Sequence, residues 1–565
     1  MPLAVTACNA FIWVPHAKDP GYPAFLPHDY KEASEAASTA LQLATLQASC
    51  LDDPTEQEQE NADLALALAE AMSLLYDPHL LDLGPDQFVQ MFNEAERRWA
   101  ETMERIARQQ HSADLLAMAA EALMIPEAWN LKQAGTGGQL KPAGVRAEQL
   151  ILEALEWDPS QPLALHLHVH ITETGSPIRG QGILQAGSGE RSADMLHNGN
   201  GTFRHMGHLL HMPAHIFVRL GRYHDAVEAG LRALAVDAQD VADCQTTVAS
   251  EHDMDLLVYA ANMAGQSQLA IEWSKKLQQA AELHPKGSWL GTHDTLSFDW
   301  TALPLTWVFH GMWESILENL TPPPANARGI CAKGGYEYAV SVYHYAMALA
   351  YAAQSETLKY HQDNSRSEAA FDRASWHLQQ LEAAFEQVEQ EPPTEPGEGA
   401  GLYSCEHHQL SAIQVQVAKA RIAQAEGPYP GNLQAAEYHL KEAVLLEDQV
   451  SYAAPPRQSP TLRHCLTHIL ERTESPAEAE VISRQALGLY PNNPWGLYAL
   501  LESLKRQDRG AAEVQQTSAV VYRRTRLPVT MNRILTCQLT MIAKVGFGEL
   551  AIARIIVDST AYSGV

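Results

Sequence analysis

Apolar residues recur at intervals of three and four along almost the whole chain, and strand-like alternation is scarce. Long stretches are filled with Ala, Leu, Glu and Gln, all good helix formers. Several segments share one cadence: Gly221-Arg-Tyr-His-Asp-Ala-Val, Gly265-Gln-Ser-Gln-Leu-Ala-Ile, Gly431-Asn-Leu-Gln-Ala-Ala and Pro476-Ala-Glu-Ala-Glu, with Gly311-Met-Trp as a shorter echo. In repeated helical hairpins a glycine makes the turn, small alanines let helices approach, and a proline starts the next pair. The pattern predicts an all-α chain folded as an α-solenoid of helical hairpins.

Breaks in the pattern divide the chain. Residues 1–130 read as N-terminal helical repeats, 131–390 as central repeats, 403–510 as C-terminal repeats, and 511–565 as a tail of unknown role. That tail turns β-branched and basic and loses the cadence. Residues 174–204, rich in Gly, Gln, Ser and Asn, predict a loop with short elements, and residues near 390–402 an acidic linker.

Composition narrows the partners. With 39 basic and 68 acidic residues the formal charge is −29, which repels nucleic-acid phosphates and anionic membranes. No run of 18 apolar residues predicts a membrane span, and the first residues lack the basic start of a secretory signal. Seven cysteines at 8, 50, 244, 331, 405, 465 and 537 show no CxxC spacing. They read as reduced thiols, and the chain as cytoplasmic.

The chemistry concentrates in the central repeats, where eight histidines fall between positions 166 and 215. His166, His170 and Glu173 stand at i, i+4 and i+7, on one face of a helix at about 100° per residue. His208, His211 and His215 form a second stripe at i, i+3 and i+7. Imidazole suits zinc, copper, iron and nickel, and two such stripes on neighbouring helices could hold one or two ions. A lone HxxxH pair, by contrast, occurs often without metal. Pro213 inside the second stripe either bends that helix or marks its start. His168 points about 160° away from its neighbours and reads as core or surface, and His205 is offset. His252 and His344 could complete a shell, although each also fits helix-start chemistry. Neither a GxSxG elbow nor an HExxH motif occurs, and Gly135-Thr-Gly-Gly and Gly187-Ser-Gly189 lack the setting of a phosphate loop.

Taken together, these phrases resemble bacterial and fungal tetratricopeptide-repeat proteins. The carriers are Ala120-Glu-Ala-Leu-Met124 with Trp129, Ala164-Leu-His166 through His170-Ile-Thr-Glu173, and Gly207-His208-Leu-Leu-His211-Met-Pro-Ala-His215-Ile. Gly221-Arg-Tyr, His252 and Val342-Tyr-His344-Tyr-Ala follow in the same order, so the match runs from about residue 8 to 507. The resemblance implies a tetratricopeptide-like fold and supports His166, His170, Glu173, His208, His211, His215, His252 and His344 as the metal-site set. Asp255 stands where the family has a further histidine, which would change the donor set. The family brings no general reaction with it.

The leading functional expectation is a metal-dependent oxidoreductase or oxygenase acting on a small organic substrate at a mono- or dinuclear site. Copper or iron is favoured, and zinc would point instead to a hydrolase or lyase. Glu173 is the candidate catalytic base, with direct ligation or the orienting of an imidazole as alternatives. The competing expectation is a tetratricopeptide scaffold whose groove binds a protein or peptide without catalysis. Peptide grooves of that kind favour Lys, Arg and Asn, whereas this stretch offers imidazoles, with Arg204 and Arg219 the nearest cations. Phe203, Phe217, Tyr223, Trp307, Tyr343 and Tyr345 could wall a substrate pocket or serve as core.

Overall fold

The computed structural model describes residues 27–508 except 52, 128–130, 132–138, 174–185, 200–204, 244–249, 284–295, 326–334, 389–405, 428, 451–452 and 457–461. The expected tail, the acidic linker, most of the 174–204 loop, Phe203, Arg204, Gly135 and five of the cysteines therefore lie outside the described residues. Within them the chain is all-α, a solenoid of tetratricopeptide-like hairpins. The first helices are α1 (Pro27–Ser49), α2 (Glu56–Leu75), α3 (Pro85–Gln110), α4 (Ala113–Met124), α5 (Pro142–Trp157), α6 (Pro162–Glu173) and α7 (Glu190–Asn198). The middle is built from α8 (Gly207–Arg219), α9 (Tyr223–Ala242), α10 (Ser250–Met263), α11 (Ser267–Leu283), α12 (Leu296–Phe309), α13 (Trp313–Asn319) and α14 (Gly335–Tyr360). Then come α15 (Asn364–Gln387), α16 (His407–Glu426), α17 (Pro430–Glu447), α18 (Arg463–Arg472), α19 (Pro476–Leu489) and α20 (Pro494–Arg506).

One turn recurs between hairpin partners. At Gly221, Gly265 and Gly311 the backbone is left-handed, with φ of 72°, 72° and 62°. The next amide reaches back five residues each time, Arg222 N to Phe217 O at 2.8 Å, Gln266 N to Ala261 O at 2.8 Å and Met312 N to Trp307 O at 2.9 Å. This is the Schellman closure, which satisfies carbonyls that the helix end leaves without partners. The same bond recurs at Asp363 and Ser475, where Gln362 and Glu474 take the left-handed position at φ of 61° and 60°. Gly431, expected to make a turn, instead sits in the first turn of α17.

Each helix packs on its sequence neighbours, and alternate helices also touch, so α4, α6, α8, α10, α12, α14 and α16 form a continuous inner layer. That layer matters because all the central histidines of interest lie on three successive members, α6, α8 and α10. The superhelix also closes on itself. Tyr223 Oη donates to the Pro491 carbonyl at 3.0 Å, Asn492 Nδ2 donates to the Leu220 and Gly221 carbonyls at 3.4 Å, and Trp495 packs edge-on against Phe309 at 4.6 Å. A Cβ at Gly221 would overlap the Pro491 carbonyl, so glycine serves both the turn and the closure.

Two expectations need correction. Cys465 is disulfide-bonded rather than a reduced thiol. Motif spacing tests only cysteines near in sequence, whereas folding brings distant ones together. Secondly, the stretch Glu56–Asp82 is long and apolar enough to cross a membrane by length and composition. Its apolar residues are mainly leucine and alanine, and Ala62, Ala69, Ala71, Met72 and Leu75 are buried within the repeat array.

The turn chemistry sets a stability prediction. Gly265→Ala places a Cβ on a left-handed backbone and is expected to cost about 1 kcal/mol, whereas Gln362→Gly is expected to be neutral or stabilising. Thermal denaturation of the two variants checks the opposite signs.

Candidate metal centre

The inner layer brings six imidazoles into one row. Ring centroids step from His166 to His170 at 4.6 Å, His166 to His208 at 5.0 Å, His208 to His211 at 6.1 Å, His211 to His215 at 4.7 Å and His211 to His252 at 4.8 Å. Two ligand sets emerge: His166, His170 and His208, then His211, His215 and His252, each with ring nitrogens within 4.8 Å of one another. The second set is fully buried, and the first keeps partial access to solvent.

Nitrogen spacing fits metal coordination. His208 Nε2 lies 3.1 Å from His166 Nε2, His211 Nε2 lies 2.8 Å from His215 Nε2, and His252 Nε2 lies 3.4 Å from His215 Nε2. Metal–imidazole bonds of about 2.0–2.1 Å at tetrahedral angles set ligand nitrogens roughly 3.3 Å apart. All three values lie near that separation, so the donor spacing is compatible with an ion at each set.

Carboxylates stand behind the imidazoles. Glu173, the last residue of α6, is fully buried and uses both oxygens: Oε1 meets His170 Nδ1 at 2.9 Å, and Oε2 meets His215 Nδ1 at 2.6 Å. It thus spans the two triads. Burial opposes its ionisation, but the charges and hydrogen bonds of His215 and His170 outweigh that and hold the carboxyl well below the usual range. An ionised Glu173 fixes the protons of these two rings on Nδ1, leaving both Nε2 lone pairs for the centre. This is the outer-shell pairing that orients metal-ligating histidines. Both oxygens of Glu173 meet imidazole nitrogens, the geometry of an orienting group.

Asp253 stands beside His211, whose Nδ1 lies 3.1 Å from Asp253 Oδ1 without the alignment of a hydrogen bond. Burial, then the neighbouring Asp237 carboxylate, pushes the Asp253 carboxyl well above the usual range. Asp237, raised to about 6 chiefly by burial, lies under the first turn of α8, where a Cβ at Gly207 would overlap it. Close approach of a carboxylate to a helix N-terminus is favourable, and glycine is what permits it here.

Pro213 lies inside α8, which settles its two sequence readings in favour of an interior proline. Standing between His211 and His215, it removes the amide that would otherwise bond the Leu209 carbonyl one turn back. Of the other histidines, His168 turns away and places Nδ1 2.8 Å from Ser192 Oγ, while His205 is exposed. His344 is not brought to the row. It sits on α14, with Nδ1 2.9 Å from His377 Nδ1. Spacing within one helix gave no means of measuring this separation. Asp255 belongs to a cavity wall rather than to either triad. Sequence reasoning passed over Asp253 and Asp237. The acidic run Glu251-His252-Asp253 was a signal for the former, but nothing local pointed to Asp237. Among the aromatics, Phe217 is core beneath the Arg222 guanidinium at 4.0 Å, and Tyr345 lines the cavity.

No family model matches the sequence, and no curated protein matches it either. Among solved structures the chain is similar to the human IFIT1 dimer with m7Gppp-AAAA, at 12% identity and a TM-score of 0.31, covering 88% of this chain and 86% of that one. A monomeric IFIT1 mutant with m7Gppp-AAAA gives 13% identity and a TM-score of 0.29, covering 93% and 95%. The APC/C hetero-tetramer Cut9–Hcn1 gives 13% identity and a TM-score of 0.23, covering 90% and 94%.

The electrostatics make a pH prediction. Burial, then mutual repulsion among the imidazoles, lowers His166 and His211 well below the ordinary histidine range and His208 to about 3. In the unfolded chain these rings protonate near pH 6.5. Between that value and the depressed folded ones, the unfolded state binds more protons, so stability falls as pH is lowered through the window. Thermal denaturation of metal-free protein from pH 7.5 to 4.5 should show this decline. The slope should be shallower in a His166→Ala/His208→Ala variant.

Proposed function

We propose that this chain is a metal-dependent protein whose α6, α8 and α10 hold two transition-metal ions, one at each histidine triad, for oxidation of a small organic substrate. The observation that carries the reading is the pairing of two three-imidazole sets through the single buried carboxylate of Glu173. Three protein ligands per ion leave a position free for water, oxygen or substrate, as in catalytic rather than structural sites. An all-imidazole donor set suits copper, iron or zinc, and the order of divalent affinities puts copper first. Zinc in the same place would supply Lewis-acid chemistry and favour hydrolysis or elimination.

The chain's own residues supply the rest. Glu173 orients two of the rings and keeps the Nδ1 protons of His170 and His215 away from the ligating face. Burial of the second triad excludes bulk water, while partial exposure of the first provides an approach for substrate. A second reading, a protein-binding scaffold without catalysis, draws on the hairpin architecture, because arrays of this kind use a continuous helical surface for partners.

Elemental analysis of chelator-free protein separates the two. Metal near two equivalents per chain is expected in the parent, with loss in His170→Ala/His211→Ala. Glu173→Ala should weaken binding by about 10–100-fold while leaving all six imidazoles in place. A parent that stays metal-free after reconstitution with copper, iron and zinc would overturn the metal reading and leave the scaffold.

A further inference from the structure

Away from the histidine row, the inner layer lines a partly open cavity of about 120 Å³ among α10, α12, α14, α16, α17 and α18. Its walls are mostly apolar, with Val258, Leu305, Phe309, Leu349, Ile413 and Val417 among them. The volume approaches that of an engineered apolar cavity of roughly 150 Å³ that takes up benzene. A single ring therefore fits.

The polar groups on the α16 side are mainly donors. Arg421, only 4% exposed, spends its Nη atoms on Glu356 and Gln424, but its Nε–H has no hydrogen-bond acceptor among the described residues. Gln414 accepts from Ser341 Oγ through its Oε1, and Gln424 accepts from Arg421 through its own, so the amide nitrogens of both remain available on the cavity lining. A buried guanidinium N–H left without an acceptor is costly, and an acceptor oxygen inside the cavity would remove that cost. Charge points the same way. Arg421 is paired with Glu356, and Arg472 lies within electrostatic reach of both, so two guanidiniums stand near one carboxylate in this corner of a strongly acidic chain. Burial first, and then Arg472, Arg421 and Arg506, lower the nearby His468 to about 3. Asp255 stands on a different wall, on α10, with α12 and α14 between it and α16.

We propose that this cavity binds a small monocarboxylate with an apolar body of about single-ring size, its carboxylate received by Arg421 and the neighbouring Gln424. The site is distinct from the histidine centre and does not depend on metal being there. The two share α10, on which His252 and Asp255 lie about one turn apart.

Titration calorimetry of the full chain with benzoate, benzyl alcohol and benzylamine tests the assignment. Benzoate should bind, benzyl alcohol about tenfold or more weakly, since a hydrogen bond to a charged group is lost, and benzylamine more weakly still. Arg421→Lys keeps the charge but removes the Nε–H and should weaken benzoate about tenfold. Val417→Phe fills the cavity, leaves Arg421 in place and should abolish binding, which keeps the test open if the arginine variant does not fold. Repeating the titration on His170→Ala/His211→Ala should leave benzoate affinity unchanged. Its loss there would assign binding to the histidine centre and overturn this proposal. No heat from the folded parent at about 10 mM benzoate, equal binding of benzyl alcohol, or unchanged affinity in Val417→Phe would overturn it as well.

Discussion

The buried carboxylate of Glu173 is the constraint around which the central repeats are organised. It closes α6, reaches His170 on its own helix and His215 on α8, and has no access to solvent. A carboxylate in such a place is tolerated only when its oxygens are fully engaged. Here two imidazoles engage them, and in doing so they are fixed in tautomer and orientation. The six-ring row is therefore a single electrostatic unit. Burial and neighbouring imidazoles lower the basicity of His166, His208 and His211, and the acid behind the row holds His170 and His215 by their Nδ1 atoms.

That unit needs rigid support, and the solenoid provides it through repetition. The Schellman closures at Gly221, Gly265 and Gly311 set successive hairpins in the same way, so alternate helices meet as one inner layer. The returning C-terminal repeat adds a second restraint. Tyr223 and Asn492 tie the turn after α8 to residues near 491, far away in sequence. The helix that carries three of the six histidines is thus held at its C-terminal end by the far end of the array. At its N-terminal end, Gly207 lets Asp237 approach the first amides. Proline within α8 is accommodated between these two anchors.

The same inner layer separates two kinds of chemistry. Toward α6 and α8 it gathers imidazole nitrogens backed by the Glu173 carboxylate. Toward α16 it sets the Arg421 Nε–H, without an acceptor among the described residues, beside an apolar space. The helix α10 contributes to both, with His252 at one end and the cavity-lining Asp255, Tyr259 and Asn262 along its length. Nothing in the strongly negative net charge foretells a locally positive pocket. Net charge describes the sum over the surface, whereas Arg421 and Glu356 meet across two helices in the interior.

By itself the sequence determined what depends on short-range order. The three-and-four spacing of apolar residues was enough for the all-α solenoid, and the recurring glycines marked turns. Helical pitch grouped His166 with His170, and His208 with His211 and His215, because positions three and four apart must share a face. Tertiary structure decided which groups from different helices meet. It divided the six imidazoles into two sets crosswise, pairing His208 with α6 and His252 with α8. It turned Glu173 toward ring nitrogens, put Asp253 rather than Asp255 behind His211, and left His344 beside His377. The physical reason is that a helix fixes angles along its own axis, whereas the approach of two helices depends on packing across the whole array. No local pattern of residues encodes that distance.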